Sequence, residues 1–415
     1  MKKILWLCNI AFTDKKIKTT ASWLQPLAEL LQQSGEIQLY NITLGNSKKT
    51  QKIVHQNIIQ WILPKGKLYK HGQTASLDIY NAISQIEQEI QPDLVHIWGT
   101  ESIWCDAYRK GFIKNKVLLD IQGILSLCYY FYYGGLTTKE ILQSIHLKEI
   151  LMPWRTLFHK KQIFKERGKI ETACLKQLSY ISYQSEWVKK HLTFINPTAK
   201  LYATKIILRQ NFYSADSWQY KTPNTSPIVF TTASGAIPYK GMHVLLKSIY
   251  LLKNKYPQIK LHVAGQMKIG NLLLDGYSIF LQNLIRKYQL EKNIIYLGPI
   301  DEKQITEELQ QCNICVIPSF VETYCLAFAE AMIIGTPTIA SYTGAMPELG
   351  KHEEECLFYN PLDFQLCAHY IDKLIQDKEF AEKLSQNGRK KRMIENNPHS
   401  VLHTQLEIYK NIINS

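Results

Sequence analysis

Short β-branched and aromatic runs alternate with longer amphipathic ones along the whole chain, and this alternation restricts the fold more than any other feature. In the first half the strand-like runs are "KILWLCNI", "IQLYNITL", "LVHIWG", "KVLLDIQG" and "YISYQS". They restart after "YKTPNTSP" (220–227), a linker-like stretch rich in Pro and Thr, as "SPIVFTTASG", "KLHVAG", "NIIYLG", "ICVIPS" and "TPTIAS". Helical stretches such as "MHVLLKSIYLLKNKY" lie between them. Such alternation predicts an α/β protein with parallel sheets. A chain of 415 residues suits two domains of about 200 residues each. We therefore expect a first Rossmann-like domain over 1–219 and a second over 220–397. A final helix over 398–415 should present Leu402, Leu406, Tyr409 and Ile412 or Ile413 on one face.

Composition narrows the class. Hydrophobic residues at 46% and charged residues at 20% describe a globular chain, not a disordered one. Apolar runs such as "AFAEAMIIG" fall short of the roughly 20 residues of a membrane-spanning helix. The basic N-terminus leads into a short strand-like run with no small-residue cleavage site, so it reads as a first strand and not a signal peptide. Nine scattered cysteines predict reduced thiols and a cytoplasmic location. Cys312 and Cys315 form a C-x-x-C, but no second pair stands at zinc spacing, and a structural role is expected. The net charge of +14 is uneven: residues 1–220 hold 29 Lys and Arg against 16 Asp and Glu, and residues 221–415 hold 20 against 19. A basic first half suits phosphate-bearing partners, whether an anionic membrane, a lipid-linked pyrophosphate or nucleic acid. No RNA or DNA module is present, so nucleic acid is not expected. No Gly-x-Gly-x-x-Gly follows the first strand, which argues against a dinucleotide-dependent dehydrogenase.

Two glutamates in "PSFVETYCLAFAEAMIIGTPTIASYTGAMPEL" (318–349) stand where buried core is otherwise expected. Glu322 falls near a predicted helix start, at Thr323 to Cys325, and Glu330 falls inside that helix. Amides at a helix start attract phosphate, and eight helical residues rise about 12 Å. That span would place Glu322 at a transferred sugar and Glu330 at ribose hydroxyls of a sugar nucleotide. The amides of Tyr324, Cys325 and Leu326 would face the diphosphate between them. Otherwise Glu322 complements the helix dipole and Glu330 faces solvent.

The same segment resembles the signature of retaining GT-B glycosyltransferases of family four: a Glu, seven residues, a second Glu and a Gly-x-Pro turn. Here these are Glu322, Glu330, Gly335 and Pro337, followed by Gly344, Pro347 and Glu348. "GAIPYKGMHVLLKSIYLL" is similar to the family's first nucleotide-domain loop, with Gly235 for close phosphate approach and Lys240 to neutralise the leaving diphosphate. "NIIYLGPID" looks like the loop that contacts the base, near Leu297 and Gly298. Thr323 falls in the same donor segment. In the first half, "PDLVHIWGTE" resembles the strand ending in a histidine, His96, and Gln122 with Gly123 stands where many members carry a histidine. "LLDIQGILS", "YISYQSEWVKKHLTFINPTAKLY" and "ILRQNFY" most resemble the branch that assembles bacterial capsule and O-antigen. The chain departs at Ala236, where an Arg is usual, at Ala21-Ser22, where Gly-Gly is usual, and at Ile206, where Glu is usual.

The resemblance implies two Rossmann-like domains facing each other across a cleft, with the last helix returning to the first. It implies hexosyl transfer from a nucleotide-sugar, a UDP-sugar in the first instance, to a glycan or lipid-linked acceptor with retention at the anomeric carbon. Glu322 and Lys240 would act on the reacting sugar and leaving group. Glu322, Glu330, Gly235, Lys240, Leu297, Gly298 and residues 323–326 would hold the donor, and His96, Gln122 and Gly123 the acceptor or sugar side. No metal and no cofactor are expected, the nucleotide-sugar being a substrate. "CYYFYYGG" and "MPWRTLFHKKQIFKERGK" (152–169) mix aromatic and basic residues and predict peripheral contact with an anionic membrane at its cytoplasmic face. A GT-B epimerase or phosphorylase is the alternative, and a basic nucleic-acid-binding protein the second.

Overall fold

The computed structural model describes residues 1–13, 23–66, 68–222, 226–233, 235–265 and 275–415. Ala21-Ser22 and the middle of the 220–227 stretch lie outside them.

Two compact units share the chain: residues 1–127, 163–209 and 396–415 form one, and residues 128–162 and 210–395 the other. The sequence placed 128–162 in the first domain, and here the structure differs. That segment is held by second-unit partners: Lys247 Nζ donates to Glu140 at 2.9 Å, Lys160 Nζ to Asp275 at 2.8 Å, and His243 Nε2 lies 2.9 Å from the Gly134 carbonyl. Residues 210–219 also belong to the second unit, where Trp218 Nε1 donates to the Cys312 carbonyl at 2.7 Å.

The first unit is built on β1 (Lys2–Leu7), β2 (Ile37–Gly45), β3 (Gln51–His55), β4 (Ile58–Pro64), β7 (Leu94–Trp98), β8 (Val117–Asp120), β9 (Tyr180–Tyr183) and β10 (Lys200–Ala203). They form one sheet in the order β10-β9-β8-β7-β1-β2-β4-β3, and β5 (Leu68–Tyr69) pairs apart with β6 (Thr74–Ala75). All neighbours in the large sheet run parallel except β3, an antiparallel edge hairpin on β4 that the sequence did not announce. β7 and β8 are buried at every position, as strands covered on both faces must be. The second unit carries β11 (Ile228–Thr231), β12 (Lys260–Ala264), β13 (Ile294–Gly298), β14 (Ile314–Ile317), β15 (Thr338–Ser341) and β16 (Leu357–Tyr359). Its sheet is wholly parallel, in the order β13-β12-β11-β14-β15-β16.

Helix starts follow their capping residues. Asp301 accepts from Gln304 N in a capping box, and Asn397 accepts from His399 N and Ser400 N with Pro398 at the first helical position. The last helix, Pro398–Ile413, joins the first unit. Its buried face is Val401, Gln405, Ile408, Tyr409 and Ile412. Tyr409 and Ile412 are there as expected, whereas Leu402 and Leu406 are only half-buried. A polar anchor holds this face: the Tyr409 hydroxyl accepts from Trp6 Nε1 at 2.9 Å and meets His96 Nδ1 at 2.7 Å.

Candidate active site

In each sheet the chain reverses its order of addition at one place, and ligands of open α/β sheets sit beyond the strand ends there. In the second unit that place lies between β11 and β14. Both expected reacting residues follow these strands. Lys240 ends the short turn Pro238–Lys240 after β11, and Glu322 lies in the loop after β14. Lys240 Nζ donates to Glu322 Oε1 at 2.6 Å.

Backbone contacts force the two loops together. Phe320 N donates to the Tyr239 carbonyl at 2.7 Å. Gly241 has φ +75°, and a Cβ there would fall 1.9 Å from the Pro318 carbonyl oxygen, so only glycine fits. From the far side Ala345 N donates to the Glu322 carbonyl at 2.9 Å, and Thr343 Oγ1 donates to the Ser319 carbonyl at 3.0 Å. Burial pulls the Lys240 pKa down, but the charge of Glu322 outweighs it and the ammonium ends above its ordinary value. It therefore stays cationic at neutral pH, and a phosphate entering here meets a fixed positive charge.

The helix begins later than expected. Cys325, at φ 82° and ψ 82°, is the N-cap of helix Leu326–Ile334, and no side chain caps it. Its first-turn amides are the donors that a bound anion satisfies. Because residues 322–325 are not helical, the 12 Å rise expected between the two glutamates does not apply. Glu330 lies in the second turn and is 6% exposed. Thr323 and Leu326 are half-buried, and Tyr324 is buried. The Cys325 thiol is held far above its usual pKa by burial, with Glu322 adding to the effect. Gly235 is buried in the loop after β11, Ala236 is half-buried beside it, and Leu297 and Gly298 end β13 at the same edge of the sheet. The donor residues expected from the sequence thus gather along one edge.

The first-unit residues divide. His96 is 0% exposed, lies among Trp6, Trp98 and Tyr409, and its pKa is driven well below the ordinary value by burial. In this structure it is a core residue that anchors the last helix. Gln122 and Gly123 follow β8, half-buried. With them the structure brings Glu101, two residues past Gly99, which the sequence reading missed. A Cβ at Gly99 would fall 2.2 Å from Glu101 Oε2, and one at Gly123 would fall 2.7 Å from Glu101 Oε1. Two glycines after neighbouring strands were the available signal. Glu101 sits at this sheet's own reversal, between β1 and β7, and Arg167 Nη2 donates to its carbonyl at 2.9 Å.

The comparisons agree with this architecture. The family model described as glycosyl transferases group 1 matches residues 214–391. The putative glycosyltransferase YtcC of Bacillus subtilis is 30% identical over 72% of this chain and 67% of its own length. YqgM of the same organism, an uncharacterized glycosyltransferase, is 27% identical over 43% of this chain, and the match spans only 48% of that relative. The crystal structure of Anabaena HepE in complex with UDP and glucose superposes with a TM-score of 0.68 at 14% identity, over 99% of this chain and all of that one. The chain belongs to the glycosyltransferase group 1 family, and its two Rossmann-like units are those of the GT-B fold.

Proposed function

We propose that the protein transfers a hexosyl group from a UDP-sugar to a glycan or lipid-linked acceptor, with retention of anomeric configuration and without a metal. The observation that carries this reading is the Lys240–Glu322 pair, seated at the reversal of the second sheet beside the uncapped start of helix Leu326–Ile334. Lys240 and the first-turn amides neutralise the diphosphate as it departs. Glu322 accepts hydrogen bonds from sugar hydroxyls and orients the anomeric carbon, and Glu330 serves the ribose. The bond from the anomeric carbon to the phosphate oxygen breaks, and its electron pair leaves with the diphosphate. The acceptor hydroxyl bonds to that carbon from the same face, and its proton passes to the departing phosphate oxygen. Gln122, Gly123 and Glu101 receive the acceptor in the first unit. HepE, solved with UDP and glucose, supports the choice of UDP. A role in surface polysaccharide assembly in the cytoplasm rests on the sequence resemblance and on the distant match to Protein CapJ of Staphylococcus aureus.

A thermal-shift series with UDP, GDP, ADP and CDP and their sugar conjugates tests it. UDP compounds should stabilise the wild type, by an amount growing with the logarithm of ligand concentration. Removing one charge-assisted contact with Lys240→Ala should weaken UDP about tenfold or more. No shift with any nucleotide at millimolar concentration would overturn the reading.

A further inference from the structure

The surface most at odds with an ordinary soluble face is carried by residues 142–158 of the second unit. Leu147, Ile150, Leu151 and Trp154 are 71, 64, 69 and 59% exposed, with Leu142 and Phe158 flanking them. They lie on the short helices Thr138–Gln143 and Leu147–Leu151, the turn Pro153–Arg155 and the start of the next helix. The ridge has a fixed base. Ile141, Ser144, Glu149 and Leu157 are buried beneath it, and the Ser144 carbonyl lies so close to Gly276 that a Cβ there would approach to 1.7 Å.

Charge sorts on the ridge by sign. Its two acids are drawn inward, Glu140 to Lys247 at 2.9 Å and Glu149 into the interior at 1% exposure. Lys139 is exposed, and Lys148 and Arg155 are half-exposed among the apolar residues. Three of the cations expected from the sequence for this purpose are engaged elsewhere: Lys160 on Asp275, Lys161 4.3 Å over the Tyr133 ring, and Arg167 on the Glu101 carbonyl.

We propose that this ridge docks onto an anionic lipid bilayer. Leu147, Ile150, Leu151 and Trp154 enter the headgroup and acyl boundary, and Lys139, Lys148 and Arg155 meet lipid phosphates. Exposed leucine and isoleucine supply the apolar area such contact needs, tryptophan suits the boundary itself, and basic neighbours select anionic lipid. Among the described residues no helix is long and apolar enough to cross a membrane. The docking deepens the transferase reading by bringing the chain to a lipid-linked acceptor, but its test does not depend on turnover.

Flotation of the full chain with phosphatidylcholine vesicles, with and without one third phosphatidylglycerol, measures the contact. The wild type should float with the anionic vesicles and far less with the neutral ones. Ile150→Gln with Trp154→Gln should lower the anionic partition about tenfold or more. Lys139→Glu with Lys148→Glu should abolish the preference for anionic lipid. The UDP thermal shift of each variant reports folding and the donor site separately, so failure of the lipid contact and failure of the transferase reading are distinguishable. A wild type that stays with neither vesicle overturns the proposal, as does a glutamine variant that floats like the wild type. Concentration-dependent dimerisation abolished by the same glutamines would assign the ridge to a second copy instead and also overturn it.

Discussion

At the scale of single residues, burial decides more chemistry here than charge pairing does. Asp120 accepts from Ser182 Oγ at 2.8 Å and Gln184 Nε2 at 2.6 Å, which favours its ionised form, yet it is fully buried and its pKa is pushed up to about 7. Glu171 accepts from Thr100 Oγ1 and from the amides of Leu125 and Ser126, and burial again pushes it up to about 7. An unfolded carboxyl titrates near 4. Between about pH 4 and pH 7 the folded chain therefore keeps protons that the unfolded chain has lost, and these two groups make stability fall as pH rises through that window. Asp120→Asn should flatten the decline. Urea midpoints at about pH 5 and pH 8 measure it, and equal slopes in wild type and variant would refute the assignment. Lys240 shows the opposite balance, because the charge of Glu322 beside it outweighs the cost of burial.

At the scale of elements, the last helix combines an apolar pattern with a polar anchor. Tyr409 and Ile412 are buried as their spacing predicted, the Tyr409 hydroxyl bridging Trp6 and His96, but Val401, Gln405 and Ile408 face inward where Leu402 and Leu406 were expected. Tyr409→Phe would leave the Trp6 indole and the His96 imidazole buried without their shared partner. A loss of about 1–3 kcal/mol is expected, read as a lower urea midpoint at unchanged slope. A variant as stable as the wild type would mean that packing alone sets the rotation. The helix Leu326–Ile334 makes a related point. Its sequence is apolar all round, so periodicity placed it in the interior but did not locate its first turn. The left-handed Cys325 delays the start and leaves Glu322 in a loop, where it reaches Lys240.

At the scale of the whole molecule, each compact unit is discontinuous in sequence. A fragment ending at residue 219 would lack Tyr409 and would carry residues 128–162 without Lys247, His243 and Asp275. Fragments 1–219 and 220–415 are accordingly expected to be insoluble or to lack cooperative unfolding when made separately, and to recover solubility only when produced together. Circular dichroism and denaturant melts of each fragment check this. A cooperative melt of 1–219 alone would show that the segment needs no second-unit partners.

What the sequence by itself determined was everything carried by local period and spacing. Ten strands of the two large sheets could be read because each is a short apolar run bounded by turn residues, but β3, β4, β10 and β16 were not among them. The placement of Gly235, Lys240, Glu322 and Glu330 could be read because they stand at loop and helix positions fixed by their distance from those strands. The antiparallel β3, the assignment of residues 128–162 and the burial of His96 depend on pairings between segments far apart in the chain, and no local pattern encodes those. Glu101 belongs with them. Only folding sets Gly99 and Gly123 against its carboxylate, and only the strand order places it at the reversal between β1 and β7. The exposed ridge at 142–158 was likewise a tertiary decision: the sequence pointed to 152–169, and only the structure buries Ile141, Glu149 and Leu157 while leaving Leu147, Ile150 and Leu151 facing water.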